Sequence, residues 1–417
     1  MLYYLFDYLE REFGLMGAGV VQYISVRSAL AFCLSLLIVV GFGGRFIRWL
    51  KKMQIGESVR DLGLEGQKEK QGTPTMGGII IIAGIVIPVL LFAKINNIYI
   101  IIMLITTIWL GAMGFLDDYI KVFRKNKDGL KPKYKLLGQI VIGIFVACMM
   151  CFSPQIRIYE KQQVEAYTQT HNLQVSSNYE RAKQQFTKES VHSTKTTMPF
   201  VKNHEIEYSK VLKFLGPGYE KYAFLVVVLV VILVVMAVSN GCNLTDGIDG
   251  LCVGVSAISG SALLLLAWIS GNLLLCSYFD LLFIPNIGEL SVFGAAFIGS
   301  CCGFLWWNSY PASVFMGDTG SLCIGGIIGV FALLIRKEWL LVLLCGVFLI
   351  ENLSVIIQRY WFKYTKKKYG QGRRVFLMSP LHHHFQLKGI KEPKIVQRFY
   401  LVALLLAVAT IITIKIR

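Results

Sequence analysis

Residues 222–240 read YAFLVVVLVVILVVMAVSN, a run of nineteen residues without one charged side chain. A helix needs about 20 mostly apolar residues to cross the hydrocarbon core of a bilayer, so this run predicts a membrane span. It leads directly into GCNLTDGIDG at 241–250, which is dense in amides and carboxylates. An apolar span that ends in a polar loop is the pattern that recurs along this chain.

The composition agrees with this local pattern. Of the 417 residues, 55% are hydrophobic and 16% are charged, whereas soluble domains contain about 25% charged residues. The mean hydropathy is +0.59. These values exclude a soluble globular enzyme, a disordered chain and a fibrous protein. They predict an all-α polytopic membrane protein, with residues 1–417 forming a single integral membrane domain.

Apolar runs of sufficient length predict about ten transmembrane helices. They lie at 24–44, 77–94, 97–116, 135–152, 222–240, 251–270, 289–307, 319–335, 339–358 and 398–415.

Three further segments do not fit a spanning helix. The first 22 residues mix aromatic and charged side chains, which is typical of an interfacial helix. The stretch 272–287 is apolar but short, and we interpret it as re-entrant or interfacial. Residues 155–195 are polar, and we interpret them as an inserted part of a long outer loop.

The net charge of +17 helps to orient the chain. Clusters of Lys and Arg follow the first, third and ninth predicted spans, which share one face of the membrane. The positive-inside rule places that face in the cytoplasm and both termini in the periplasm. The charge is therefore explained without a nucleic acid partner.

Two adjacent carboxylates, Asp117 and Asp118, stand at the end of the third span. Acidic groups oppose the helix dipole at a C-terminus, so they require an explanation. A solvated helix end with Lys121 as the i+4 partner of Asp117 is one explanation. The functional one is a carboxylate pair that receives a divalent cation or a proton.

The loops after the fifth and seventh spans carry more such groups. Asn243, Asp246 and Asp249 recur every three residues, which places them along one face of a helical turn. Helix capping explains one of them but not all three. Asp318 begins the eighth span, where it is either an N-cap or part of a phosphate-binding site.

Two loops complete the set. SPLHHHFQ at 379–386 holds three consecutive histidines, which could donate to phosphate or shuttle protons near neutral pH. KEKQGTPTMGG at 68–78 offers glycine and threonine donors beside Lys70, which suits an anion.

All five unusual loops follow odd-numbered spans, so they are expected on the cytoplasmic face. Carboxylates, amides, lysines and histidines gathered there describe a site for phosphoryl chemistry, in which charge neutralisation and alignment do most of the work. Mg²⁺ is the expected cofactor, because it binds through one or two carboxylates together with phosphate oxygens.

The motifs GTPTMGG (72–78), FLDDYIK (115–121), NLTDGIDGL (243–251), NSYPASVFMGDTGSL (308–322) and PLHHHFQLKG (380–389) occur in this order. Together they resemble the bacterial phospho-N-acetylmuramoyl-pentapeptide-transferases. The resemblance covers the chain except for the insertion. It implies a multi-pass protein of the bacterial inner membrane that converts UDP-MurNAc-pentapeptide and undecaprenyl phosphate to lipid I and UMP, the first membrane step of peptidoglycan synthesis.

The resemblance also implies roles for individual residues. Asp318 would bind Mg²⁺, Asp117 would orient or deprotonate the lipid phosphate beside Asp118, and His382 would join this catalytic set. Substrate contacts would come from Lys70, Thr75, Lys121, Lys133, Asn243, Asp246, Asp249, Asn308, Phe315, His383 and His384, with Phe315 stacking on uracil. Direct attack and a covalent aspartyl intermediate both fit this set, and a homodimer is left open.

Two other functions are compatible with part of the pattern. Another polyprenyl-phosphate sugar-1-phosphate transferase would share the acidic motifs, although the triple histidine favours the pentapeptide transferases. A secondary transporter would place its ionisable residues near the middle of the bilayer, whereas here they cluster at span ends.

Overall fold

The computed structural model describes residues 1–14, 18–53, 72–124, 126, 129–160, 183, 185–187, 189–199, 205–216 and 218–415. The fold is all-α, as predicted. Its helices are α1 Leu2–Phe13, α2 Ile24–Lys52, α3 Gly78–Phe92, α4 Ile98–Phe123, α5 Pro132–Phe152, α6 Ala223–Thr245, α7 Leu251–Ser270, α8 Leu273–Phe279, α9 Leu290–Asn308, α10 Gly317–Leu334, α11 Leu341–Leu344, α12 Gly346–Tyr369, α13 Leu381–Leu387 and α14 Glu392–Thr413.

Short elements join these helices. Strands β1 Lys195–Thr197 and β2 Glu205–Glu207 pair antiparallel, with Thr196 opposite Ile206. Short 3₁₀ helices lie at Ala18–Gln22, Tyr208–Leu215, Tyr219–Tyr222, Ile287–Glu289 and Glu338–Leu340.

Nine of the ten predicted spans coincide with one helix each. Within the described ranges, eight helices are long and apolar enough to cross a membrane. The ninth predicted span is broken, because the helical segments on either side of Cys345 meet at an angle of 76°. The second predicted span, α3, has only 15 residues. The chain is therefore a multi-pass membrane protein whose helices differ from the expected spans mainly in length.

The centre of the bundle is formed by α10, in which every residue from Thr319 to Leu334 is buried. Helix α10 packs between α4 and α6, and α9 packs against α2 and α7. Both central helices are rich in Gly, Ala, Ser and Cys. Small residues let helix backbones approach closely, which is how helices associate in a membrane.

In the three segments that did not fit a span, the residues that the structure describes form only short elements. Helix α1 has no buried residue, consistent with an interfacial position. The 272–287 stretch forms the seven-residue helix α8 and a 3₁₀ turn. In the 155–195 segment, Ile158 pairs with Val191 and Tyr159 with Phe283, while 161–182 lie outside the described residues.

A buried ion pair ties α2 to the start of α9. The guanidinium of Arg27 donates to both oxygens of Glu289 at 2.6 and 2.7 Å, and both side chains are almost fully buried. The same carboxylate accepts the backbone N–H of Lys94. The pair therefore joins three parts of the chain at one end of the bundle.

We expect Glu289→Gln to lower the free energy of unfolding by about 3–5 kcal/mol, because it leaves the Arg27 charge buried without its counter-charge. Chemical unfolding in detergent measures the change. The double variant Arg27→Met/Glu289→Leu should lose less, since neither charge is buried alone. Lys210→Ala, which removes an exposed ion pair with Glu207, is the control and should leave the midpoint unchanged. Equal stability of Glu289→Gln and the wild type would contradict this account.

Candidate active site

Three carboxylates from two helices meet at one end of the bundle. Asp117 and Asp118 lie near the end of α4, and Asp318 lies in the first turn of α10. One oxygen from each lies within 4.8 Å of the others. Asp117 and Asp118 are buried, and Asp318 is partly buried. This is the arrangement that the sequence predicted for Asp117 and Asp318, although 200 residues separate the two motifs.

Asp118 is held by the N-terminus of α10. Its Oδ1 accepts the backbone N–H of Asp318, and its Oδ2 accepts the N–H and the hydroxyl of Thr319. Free N–H groups at a helix start favour such an acceptor. Gly317 makes room for it, because a Cβ there would lie 2.6 Å from Asp118 Oδ2. Asp118 thus acts as a cap from a neighbouring helix, which fixes Asp318 beside Asp117.

Two lysines bridge the remaining two carboxylates. Lys121 Nζ lies 2.6 Å from Asp117 Oδ2 and 3.1 Å from Asp318 Oδ2. Lys135 Nζ lies 2.9 and 2.5 Å from the same two oxygens. Lys121 was predicted, but Lys135 occupies the position that was predicted for Lys133. Lys133 is exposed at the start of α5.

Two further predicted residues border this acidic cluster. The amide of Asn243, near the end of α6, donates to Asp318 Oδ1 and to Ser321 Oγ, both at 2.9 Å. Thr75 is buried beside Gly317, in a segment where Pro74 and Gly77 exchange backbone hydrogen bonds with Phe315. Lys70 lies outside the described residues.

The turn between α6 and α7 is tied to the loop before α10. Asp249 Oδ2 accepts the backbone N–H of Ala312. Asn308 accepts the N–H of Gly250 and donates to the carbonyl of Val314. These bonds hold the turn that carries the half-buried Asp246 close to the loop that carries Phe315. Asp249 and Asn308 therefore hold the turn and the loop together.

The three histidines occupy the short helix α13 and face different neighbours. His382 is fully buried, with Nδ1 3.2 Å from Glu351 Oε2. His383 Nδ1 lies 2.7 Å from the Gln386 side chain. His384 Nδ1 accepts the N–H of Leu377. Burial and the nearby charge of Lys388 lower the pKa of His384, which keeps that nitrogen available as an acceptor at neutral pH.

The acidic cluster and the histidines meet at the α6–α7 turn. Asn243 bonds to Asp318, and four residues later Gly247 lies against the ring of His382. The backbone N–H of Asp249 also donates to Glu392, at the start of α14. The described parts of all five motifs therefore form one continuous site at one end of the bundle.

Sequence reasoning missed Lys135, Glu351 and Glu392 as members of this site. Lys135 was visible as part of a basic loop, but three lysines in that loop have the same charge. Residues 352–391 contain no Asp or Glu, and Glu351 and Glu392 stand at the two ends of this 40-residue stretch. That isolation is a signal the sequence did offer.

The donor set suits a divalent cation together with phosphate groups. Carboxylate oxygens are preferred ligands of hard cations, and lysine ammonium groups bind phosphate as point charges. By formal charge, three carboxylates and two ammonium groups sum to −1. A divalent cation would make the cluster +1, which favours an anionic substrate.

Comparison with known proteins agrees with this site. The sequence model of glycosyl transferase family 4 matches residues 186–336. Signature 1 of the phospho-N-acetylmuramoyl-pentapeptide-transferases matches residues 70–82.

Proteins with the name phospho-N-acetylmuramoyl-pentapeptide-transferase align over the full length of both chains. The one from Flavobacterium psychrophilum is 54% identical, that from Flavobacterium johnsoniae 53% and that from Parabacteroides distasonis 52%. With 100% of each chain covered at this identity, the chain belongs to the phospho-N-acetylmuramoyl-pentapeptide-transferase family, a family of membrane transferases of peptidoglycan synthesis.

Proposed function

We propose that the protein transfers phospho-MurNAc-pentapeptide from UDP-MurNAc-pentapeptide to undecaprenyl phosphate, forming lipid I and UMP. The observation that carries this proposal is the cluster of Asp117, Asp118 and Asp318 with Lys121 and Lys135 at the ends of membrane helices. Such a cluster suits a lipid phosphate that arrives from the bilayer and a nucleotide diphosphate that arrives from water.

Asp318 and Asp117 would hold Mg²⁺ in this proposal. Their two oxygens already share positively charged partners, which supports their capacity to share a cation. When bound, Mg²⁺ neutralises the charge that develops on the phosphates. Asp118 supports the site indirectly, because its oxygens are engaged by α10.

The protein side chains divide the remaining tasks. Asp117 would orient or deprotonate the lipid phosphate, and Lys121 and Lys135 would bind phosphate oxygens. The α6–α7 turn with Asn243 and Asp246 would receive the uridine diphosphate beside Phe315. Two contacts support this division: Asn243 donates to Asp318, and Asp249 on the same turn accepts from the loop that carries Phe315.

The activity test incubates the purified protein with donor and lipid acceptor and measures UMP. We expect release that requires both substrates and Mg²⁺, and that stops on chelation. Asp117→Asn and Asp318→Asn should each reduce the rate by at least about 10²-fold. Turnover of UDP-GlcNAc in place of UDP-MurNAc-pentapeptide would instead support another sugar-1-phosphate transferase.

We expect Lys135→Ala to lower kcat by about 10²-fold or more, because it removes a charge that contacts both Asp117 and Asp318. Lys133→Ala, two residues away and exposed, is the matched control and should retain activity within about threefold. The same UMP assay measures both variants. A larger loss of kcat for Lys133→Ala than for Lys135→Ala would show that Lys133, and not Lys135, serves the acidic cluster.

We also propose that the site opens to the cytoplasm and that both termini lie in the periplasm of a bacterial inner membrane. The basic loops after α2, α4 and α12 support this orientation. A C-terminal alkaline phosphatase fusion should be active in cells, and a green fluorescent protein fusion at the same point should be dark. The opposite pair of results would reverse the proposed topology.

A further inference from the structure

Helix α12 holds the segment that precedes the histidines through three residues spaced by seven. Thr365 accepts the backbone N–H of Arg373. Gln358 accepts those of Val375 and Phe376, and Glu351 accepts that of Leu381. Seven residues are two helical turns, so the three side chains share one face of α12. We call this row of hydrogen bonds the α12 seam.

Glu351 differs from the other two members of the seam because it is charged. It is fully buried, and its Oε1 has no hydrogen-bond partner within the described part of the chain. Burial of a carboxylate is costly, and an amide at this position could accept the same N–H, as Gln358 shows. Anchoring the loop therefore does not explain the charge.

His382 supplies the explanation. Its Nδ1 lies 3.2 Å from Glu351 Oε2, and both groups are fully buried. The contact has an ion-pair distance without hydrogen-bond geometry at Nδ1. A carboxylate so close to one ring nitrogen favours the tautomer that carries the proton on that nitrogen. His382 Nε2 then points away from α12.

The other ring nitrogen meets the α6–α7 turn. His382 Nε2 lies against Gly247, where a Cβ would collide with it. Among the residues that the structure describes, neither this buried Nε2 nor Nδ1 makes a hydrogen bond of good geometry. Buried polar atoms without hydrogen-bond partners are rare and need an explanation, and a catalytic or ligand-binding role is one of the few available. Asn243, four residues before Gly247, donates to Asp318 of the acidic cluster.

We propose that Glu351 is a positioning residue, which fixes the ring of His382 so that Nε2 binds an oxygen of the nucleotide-sugar donor. This inference rests on the proposed function of the site. Glu351 itself does not touch the donor. Its effect on the reaction passes through His382, and this dependence can be measured.

A double-mutant cycle with the full-length protein tests the dependence. Glu351→Gln keeps the shape and the acceptor for Leu381, and we expect kcat for UMP release to fall at least about tenfold. The affinity for UMP, measured by calorimetry, should stay within about threefold. In a His382→Ala background, followed with radiolabelled donor, Glu351→Gln should change kcat less than about twofold.

Gln358→Leu is the matched control from the same seam. It removes the anchors of Val375 and Phe376 but does not touch His382. A purely structural role predicts the same fractional loss of kcat with His382 present and absent. We expect that behaviour from Gln358→Leu and not from Glu351→Gln.

Three results would overturn the proposal: Glu351→Gln within twofold of wild type, an equal loss in both backgrounds, or a parallel loss of UMP affinity. If Glu351→Gln does not fold, Glu351→Asp, which retracts the carboxylate, must show the same dependence on His382. A wild type that releases no UMP would reject the proposed function. An active wild type with uncoupled variants would reject only the role of Glu351.

Discussion

The capping of α10 by Asp118 is the interaction on which the site depends. Three donors at the start of α10 bind one carboxylate from α4, and that contact sets the distance between Asp117 and Asp318. A helix N-terminus carries a partial positive charge that is used here to fix a neighbouring helix. Without the cap, the two lysines that bridge Asp117 and Asp318 would have to hold the two helices together alone.

The charge balance of the site follows from that contact. Asp117 and Asp318 would repel each other at this distance if nothing lay between them, and the ammonium groups of Lys121 and Lys135 offset the repulsion. Both lysines come from segments next to Asp117, on α4 and α5. The site is therefore assembled mostly from one stretch of chain, 117–135, set against the start of α10.

Much of the fold could be read from the sequence because the bilayer permits few solutions. Long apolar runs must be helices, since every backbone polar group needs an internal partner. The break at Cys345 was not predicted, because 339–358 is apolar apart from Ser354, Gln358 and the pair Glu351 and Asn352, and it contains no proline. The convergence of the motifs on one end of the bundle followed from counting spans.

The roles of individual residues within the site could not be predicted from the sequence. Asp117 and Asp118 are adjacent in sequence, yet they point about 100° apart on α4, and only one of them meets the lysines. Lys131, Lys133 and Lys135 carry equal charge, and the phase of α5 alone decides which one reaches Asp318. Glu351 stands out in the sequence because the next 40 residues contain no Asp or Glu, but this signal does not identify His382, 31 residues away, as its partner.

The α12 seam determines where the histidines lie. Hydrogen bonds at Thr365, Gln358 and Glu351 join α12 to the segment 373–381, which leads directly into the histidines. The helix begins just after the 76° bend at Cys345. The position of the His382 ring therefore depends on the direction that α12 takes after that bend.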